Sequence, residues 1–149
     1  MTTFLLAVHV LAAIVAIGPV TVAASMFPPA ARRVLAVPDD PRAVETVRLL
    51  HRICRVYATV GVVVPVFGVA TASAMGVLGD AWLITSVVLT VLAAVVLGAL
   101  VLPRQEALVE GGGTPRATVR LAMFTGVFNL LWAVVTVLMI VRPGSTTGA

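Results

Sequence analysis

Four long apolar runs, at residues 4–27, 56–78, 81–102 and 119–141, contain no acidic residue, and arginine enters them only at an end. Each is long enough to cross about 30 Å of hydrocarbon as a helix rising about 1.5 Å per residue. In a chain of 149 residues, four such runs leave room for one domain and no second module. Hydrophobic residues make up 60% and charged residues 11% of the chain, against about 45–50% and about 25% in an average soluble domain. A soluble fold of this size has too little interior to hide that apolar surface. The chain is therefore expected to be an all-α, four-helix transmembrane bundle occupying residues 1–149 as one integral membrane domain, with the bilayer as its solvent.

The connections carry clear signals. Pro28 and Pro29 are expected to end the first helix, since neither donates a backbone hydrogen bond. Asp40 and Pro41 read as the N-cap and first residue of a helix that starts on the membrane surface and runs into the second span. Gly79 and Asp80 form a short turn, Gly79 closing one helix and Asp80 capping the next. Pro103 closes or kinks the third span, and Thr114-Pro115 opens the fourth after a glycine-rich loop. The small, polar tail at 143–149 is expected to be disordered. Pro65 inside the second span, between Gly61 and Gly68, predicts a kink there.

All the basic residues are arginines. Arg32, Arg33, Arg42, Arg48, Arg52 and Arg55 surround the first loop, and Arg104, Arg116 and Arg120 the third, while the opposite side carries only Arg142. The positive-inside rule places both larger loops in the cytoplasm and both termini outside, in a bacterial plasma membrane. The first run lacks a positive leader and meets its first charge at Arg32, the pattern of an anchor and not of a cleaved signal. The arginines flank apolar runs without interleaved aromatics, which suits lipid phosphates and excludes nucleic acid as a partner.

Small and polar residues fall on one side of each span, as at helix contacts in membranes. His9, Ala12, Ala13, Ala16, Ala23 and Ala24 oppose Leu11, Ile14, Val15, Gly18 and Val22. Tyr57, Gly61, Pro65, Gly68, Thr71, Ala72 and Met75 share a face of the second span, and Ser86, Thr90, Ala93, Ala94 and Gly98 one of the third. Ala122, Thr125, Gly126, Asn129, Trp132, Ala133 and Thr136 oppose Phe124, Val127, Leu131, Val135 and Leu138 in the fourth. At about 1.5 Å per residue, His9 lies roughly 8 Å below the outer surface. A polar layer of Thr71, Ser86, Thr90, Asn129, Trp132 and Thr136 is expected around it, with Met75 and Met139 nearer the surface.

Imidazole with thioether suits Cu(I) or the axial positions of haem b, so His9 with Met75 or Met139 is a candidate cofactor set. A neutral His9 among hydroxyls also suits a quinone head group or a proton relay. The plainer reading has His9 donating to Thr136 or a backbone carbonyl and holding helices together. His51 sits at the cytoplasmic end, about 27 Å from the level of His9, so one chain cannot hold a cofactor between the two. His51 groups instead with Arg48, Arg52 and Arg55, spaced as a helical stripe for anionic lipid head groups or an anionic ligand. Cys54 and Tyr57 beside it are expected to pack. The chain has no phosphate-binding loop, dinucleotide fingerprint, zinc spacing or nucleophile elbow. No carboxylate lies within a span to drive a proton-coupled antiporter.

The opening stretch Leu5-Leu6-Ala7-Val8-His9-Val10-Leu11-Ala12-Ala13-Ile14, with Gly18, resembles the first helix of a family of small four-helix bacterial predicted membrane proteins of unknown function. That family is distantly similar to CopD-like copper-resistance membrane domains. Pro65 and Gly68, Pro103, and Arg142-Pro143 continue the likeness along the chain. It implies a four-helix fold and carries over His9 alone as a functional residue. The start is also similar to that of the protoporphyrinogen-oxidising membrane family, with no further functional residue matched. Residues and resemblance together lead to a non-enzymatic accessory or partner-binding membrane subunit, working with a protein partner or as a homo-oligomer. The alternatives are a haem- or copper-binding redox or transport protein using His9, and a small-solute transporter hinged at Pro65.

Overall fold

The computed structural model describes residues 2–111 and 113–144, and among the described residues there is no strand. The chain runs through α1 (Thr2–Ala36), α2 (Pro41–Val60), α3 (Val63–Met75), α4 (Ala81–Val95), a π-helical segment (Val96–Val101), α5 (Leu102–Val109) and α6 (Pro115–Val141). These elements join into four rods, each long and apolar enough to cross a membrane. In each, the most apolar stretch is largely uncovered, with between 17% and 22% of its residues buried. Leu11, Ile14, Val66, Val91, Leu130 and Ile140 all point outward. An exterior of this kind needs a hydrocarbon solvent.

The rods pack in chain order, and α6 closes the ring against α1. The largest core lies toward the arginine-rich end. There Val20, Ala23, Ala24, Phe27 and Ala31 of α1 meet Val47, Leu50 and Cys54 of α2, Leu97 and Val101 of the π-segment, and Leu121 and Phe128 of α6. The alanines of α1 bring its backbone close to its neighbours, which compensates in a membrane for the missing hydrophobic drive. All five residues read as lipid-facing on this helix are exposed.

Four local expectations are corrected. Helix α1 does not stop at Pro28 and Pro29 but passes through both to Ala36. Phe27 and Ala31 on either side are fully or almost fully buried in the main core, so tertiary packing outweighs the lost backbone bonds. The residue closing α3 is Gly76, not Gly79: it takes the left-handed conformation at φ 72°, and Val77 N–H reaches the Ala72 carbonyl at 3.1 Å. The third rod continues past Pro103 to Val109, the π-helical turns before the proline rearranging the ladder that its missing N–H would break. On α6 the buried stripe is Thr118, Leu121, Thr125, Phe128 and Val135. Val135, expected to face lipid, is 1% exposed, while Ala133 and Thr136 are exposed.

Other signals hold. Asp40 caps α2 by accepting from Arg42 N–H at 3.0 Å, and Thr114 caps α6 by accepting from Ala117 N–H at 3.1 Å. The second rod is interrupted at Gly61 and Val62, where Val62 N–H bonds Thr59 at 3.3 Å and Val64 N–H bonds Gly61 at 3.1 Å. These tighter turns precede Pro65, which has no N–H to offer. The expected disorder of the tail beyond Gly144 lies outside the described residues.

Candidate functional site

Two polar centres join the rods at opposite ends. At the N-terminal end of α1, the small residues Ala12, Ala13 and Ala16 share the side of His9 and let α3 come close. His9 is almost fully buried there, and its Nδ1 lies 3.0 Å from the Val64 carbonyl. A carbonyl only accepts, so Nδ1 donates the proton of this bond, which leaves Nε2 as the ring nitrogen outside it. Gly68 makes room for the ring: a Cβ at that position would stand 2.9 Å from His9 Cε1. Of the two plainer partners expected for His9, the backbone carbonyl is the one observed.

The remaining residues of the expected polar layer do not form one network with His9. Thr71 donates to Phe67 O at 2.7 Å, Ser86 to Trp82 O at 2.8 Å, Thr90 to Ser86 O at 2.7 Å and Thr136 to Trp132 O at 2.9 Å. Each hydroxyl thus bonds back into its own helix one turn earlier. Trp132 packs against the cluster of Ala16, Ile17 and Val64 beneath His9. Met139 packs against Ala72, Trp82 and Leu83, and Met75 is half-buried at the end of α3. Among the described residues no three His, Cys, Asp or Glu side chains gather closely enough to hold a metal ion.

Asn129 is the exception in linking two rods. Its Nδ2 donates to Ser25 Oγ at 3.0 Å across the exposed seam between α1 and α6, and its Oδ1 has no partner. Thr125 Oγ1, one turn away on α6, is likewise buried without a partner.

The second centre lies at the arginine-rich end. His51 does not share the stripe of Arg48, Arg52 and Arg55: those three are exposed, and His51 is on the buried face with Ala43, Val47, Leu50 and Cys54. Its Nδ1 donates to Gln105 Oε1 at 3.0 Å, and Gln105 Nε2 donates to Cys54 Sγ at 3.6 Å. The amide thus uses its acceptor and a donor at once, tying α5 to α2. Sequence reasoning misses Gln105 because the third apolar run ends at Leu102. The signal was present: Val101, Gln105 and Leu108 recur at helical spacing, and all three are buried. His9 and His51 remain far apart, since Val64 is thirteen residues beyond His51, about 20 Å along a helix.

In comparisons with protein-family models, curated proteins and solved structures, the chain matches none.

Proposed function

We propose that the protein is a small, non-enzymatic accessory subunit that holds a partner transmembrane helix, from another protein or a second copy, against the seam of α1 and α6. The observation that supports this most is Asn129, a polar amide in mid-rod whose Nδ2 bonds Ser25 Oγ at the exposed seam. A polar group at the depth of hydrocarbon is stabilised by a neighbouring helix more than by lipid. The flanking residues suit close approach. Ala122, Gly126 and Ala133 repeat at helical spacing on the same side, and a Cβ at Gly126 would touch nothing within 4 Å. Energy transfer between differently labelled copies in liposomes tests the homomeric case, and affinity capture from the native membrane tests the heteromeric one. Asn129→Leu is expected to weaken association about five- to tenfold. Absence of any association by wild-type protein in both assays overturns the proposal.

A second reading, a haem or copper protein using His9, draws on the tautomer of that side chain. Nδ1–H on a backbone carbonyl leaves Nε2 free, the usual arrangement of a ligating histidine. The resemblance of the first helix to a family distantly similar to CopD-like domains adds to this reading, with Met75 or Met139 as the thioether. Optical spectra of oxidised and reduced protein, with metal analysis, decide it. Cofactor retained in His9→Ala, or absent from wild-type protein grown with haem and copper supplied, rejects it.

The same proposal sets the protein in a bacterial plasma membrane, with both termini outside and the second rod kinked between Gly61 and Pro65. The arginine distribution supports the orientation. A cysteine at Gly79 should react with an impermeant maleimide on intact cells, and one at Glu110 only after permeabilisation.

A further inference from the structure

Between the end of the third rod and the start of α6 lies a cavity of about 210 Å³, lined by Arg104, Arg116 and Arg120 with Ala107, Leu108, Thr114 and Ala117. We propose that it is a binding site for an anionic phosphate group, taken from a lipid head group or from free phosphate.

Three arginines line this cavity, and no carboxylate does. Arg116 and Arg120 make no hydrogen bond or ion pair among the described residues, although Glu106 and Glu110 lie on or beside α5. The two arginines stand at i and i+4, so they share a face of α6 and repel each other until an anion neutralises them. Arg104 is held in place from the other wall. Its Nη1 donates to the Leu100 carbonyl at 3.1 Å, and its guanidinium lies 4.5 Å from the centroid of the Phe124 ring. A pinned guanidinium offers its remaining donors at little further entropic cost. The first turn of α6 carries no acidic residue, so the positive end of its dipole adds to the same field. Thr114 Oγ1 accepts from Ala117 N–H, and its O–H remains a donor beside the guanidinium forks.

Phosphate matches this set because a guanidinium fork pairs with two of its oxygens at once. The volume is about seven times the ~30 Å³ share of a liquid water, enough for a phosphate with part of its ester. This cavity is separate from the exposed stripe of Arg48, Arg52 and Arg55, which lines no part of it.

The test is calorimetric titration of the full chain in neutral detergent, with short-chain phosphatidylglycerol in one arm and inorganic phosphate in the other. One-to-one saturable binding is expected, weakened about tenfold or more in R116Q/R120Q and much less in R48Q/R52Q. The variant A107W fills the cavity while retaining every charge, and it should lose binding to the same degree. Binding of both probes identifies the phosphate group itself as the determinant, and binding of the lipid alone identifies the membrane as the source; either upholds the proposal. It is overturned if neither probe saturates, if A107W retains wild-type affinity, or if R48Q/R52Q weakens binding as much as R116Q/R120Q.

Discussion

Gln105 Oε1 lies 3.0 Å from His51 Nδ1, joining two rods through side chains 54 residues apart in the chain and both withdrawn from solvent. This bond sits beside the main core, next to the fully buried Cys54. It fixes how the third rod meets α2 beyond the apolar spans.

Removing one partner should therefore cost more than removing both. Gln105→Leu leaves the His51 N–H without an acceptor and is expected to destabilise the chain by about 1–3 kcal/mol. The pair Gln105→Leu with His51→Phe should recover part of that loss. Denaturant titrations of the two single variants and the double variant in detergent check this, and purely additive losses would count against the bond.

His9 and Gly68 are coupled by shape. A methyl at Gly68 enters the space of the imidazole, so Gly68→Ala should destabilise by about 1–3 kcal/mol as overpacking does. In a His9→Ala background the same substitution should be close to neutral. Thermal unfolding followed by helical circular dichroism distinguishes this from a general intolerance of the second rod to alanine.

Asn129 should behave in the opposite way. With an unpaired Oδ1, Asn129→Leu is expected to leave the isolated chain as stable as wild type, within about 0.5 kcal/mol, or more stable. Stability and association measured on the same preparations would then diverge. A parallel loss of both would assign Asn129 to the internal packing of the bundle.

Thr114 is a simple N-cap. Thr114→Ala should cost about 0.5–2 kcal/mol, whereas Thr114→Ser should cost much less. Hydrogen exchange in the first turn of α6 should rise in the alanine variant alone.

The sequence by itself determined the solvent and the number of spans. Uninterrupted apolar runs cannot be hidden within so short a chain, and each run is close to a bilayer in length. It also determined the faces of α1, where alanines and His9 on one side and branched aliphatics on the other leave a single sensible rotation. The caps at Asp40 and Thr114 were legible for a similar reason, since the groups that interact lie within three residues of each other.

Tertiary structure decided the rest. Whether Pro28 and Pro29 end a helix depends on what Phe27 and Ala31 can bury against, and those partners lie on α2, the π-segment and α6. His51 sits one residue from the exposed Arg52 yet is buried, because an acceptor reaches it from an extension of the third rod past Pro103. The rotation of α6 was ambiguous on composition alone. A stripe of small and polar residues serves contacts within a bundle and contacts between molecules equally well. Only the positions of α1 and α4 show that Val135 faces inward while Ala133 and Thr136 remain uncovered. Helical periodicity reports the faces of one helix, and the choice of face is made by neighbours that periodicity does not contain.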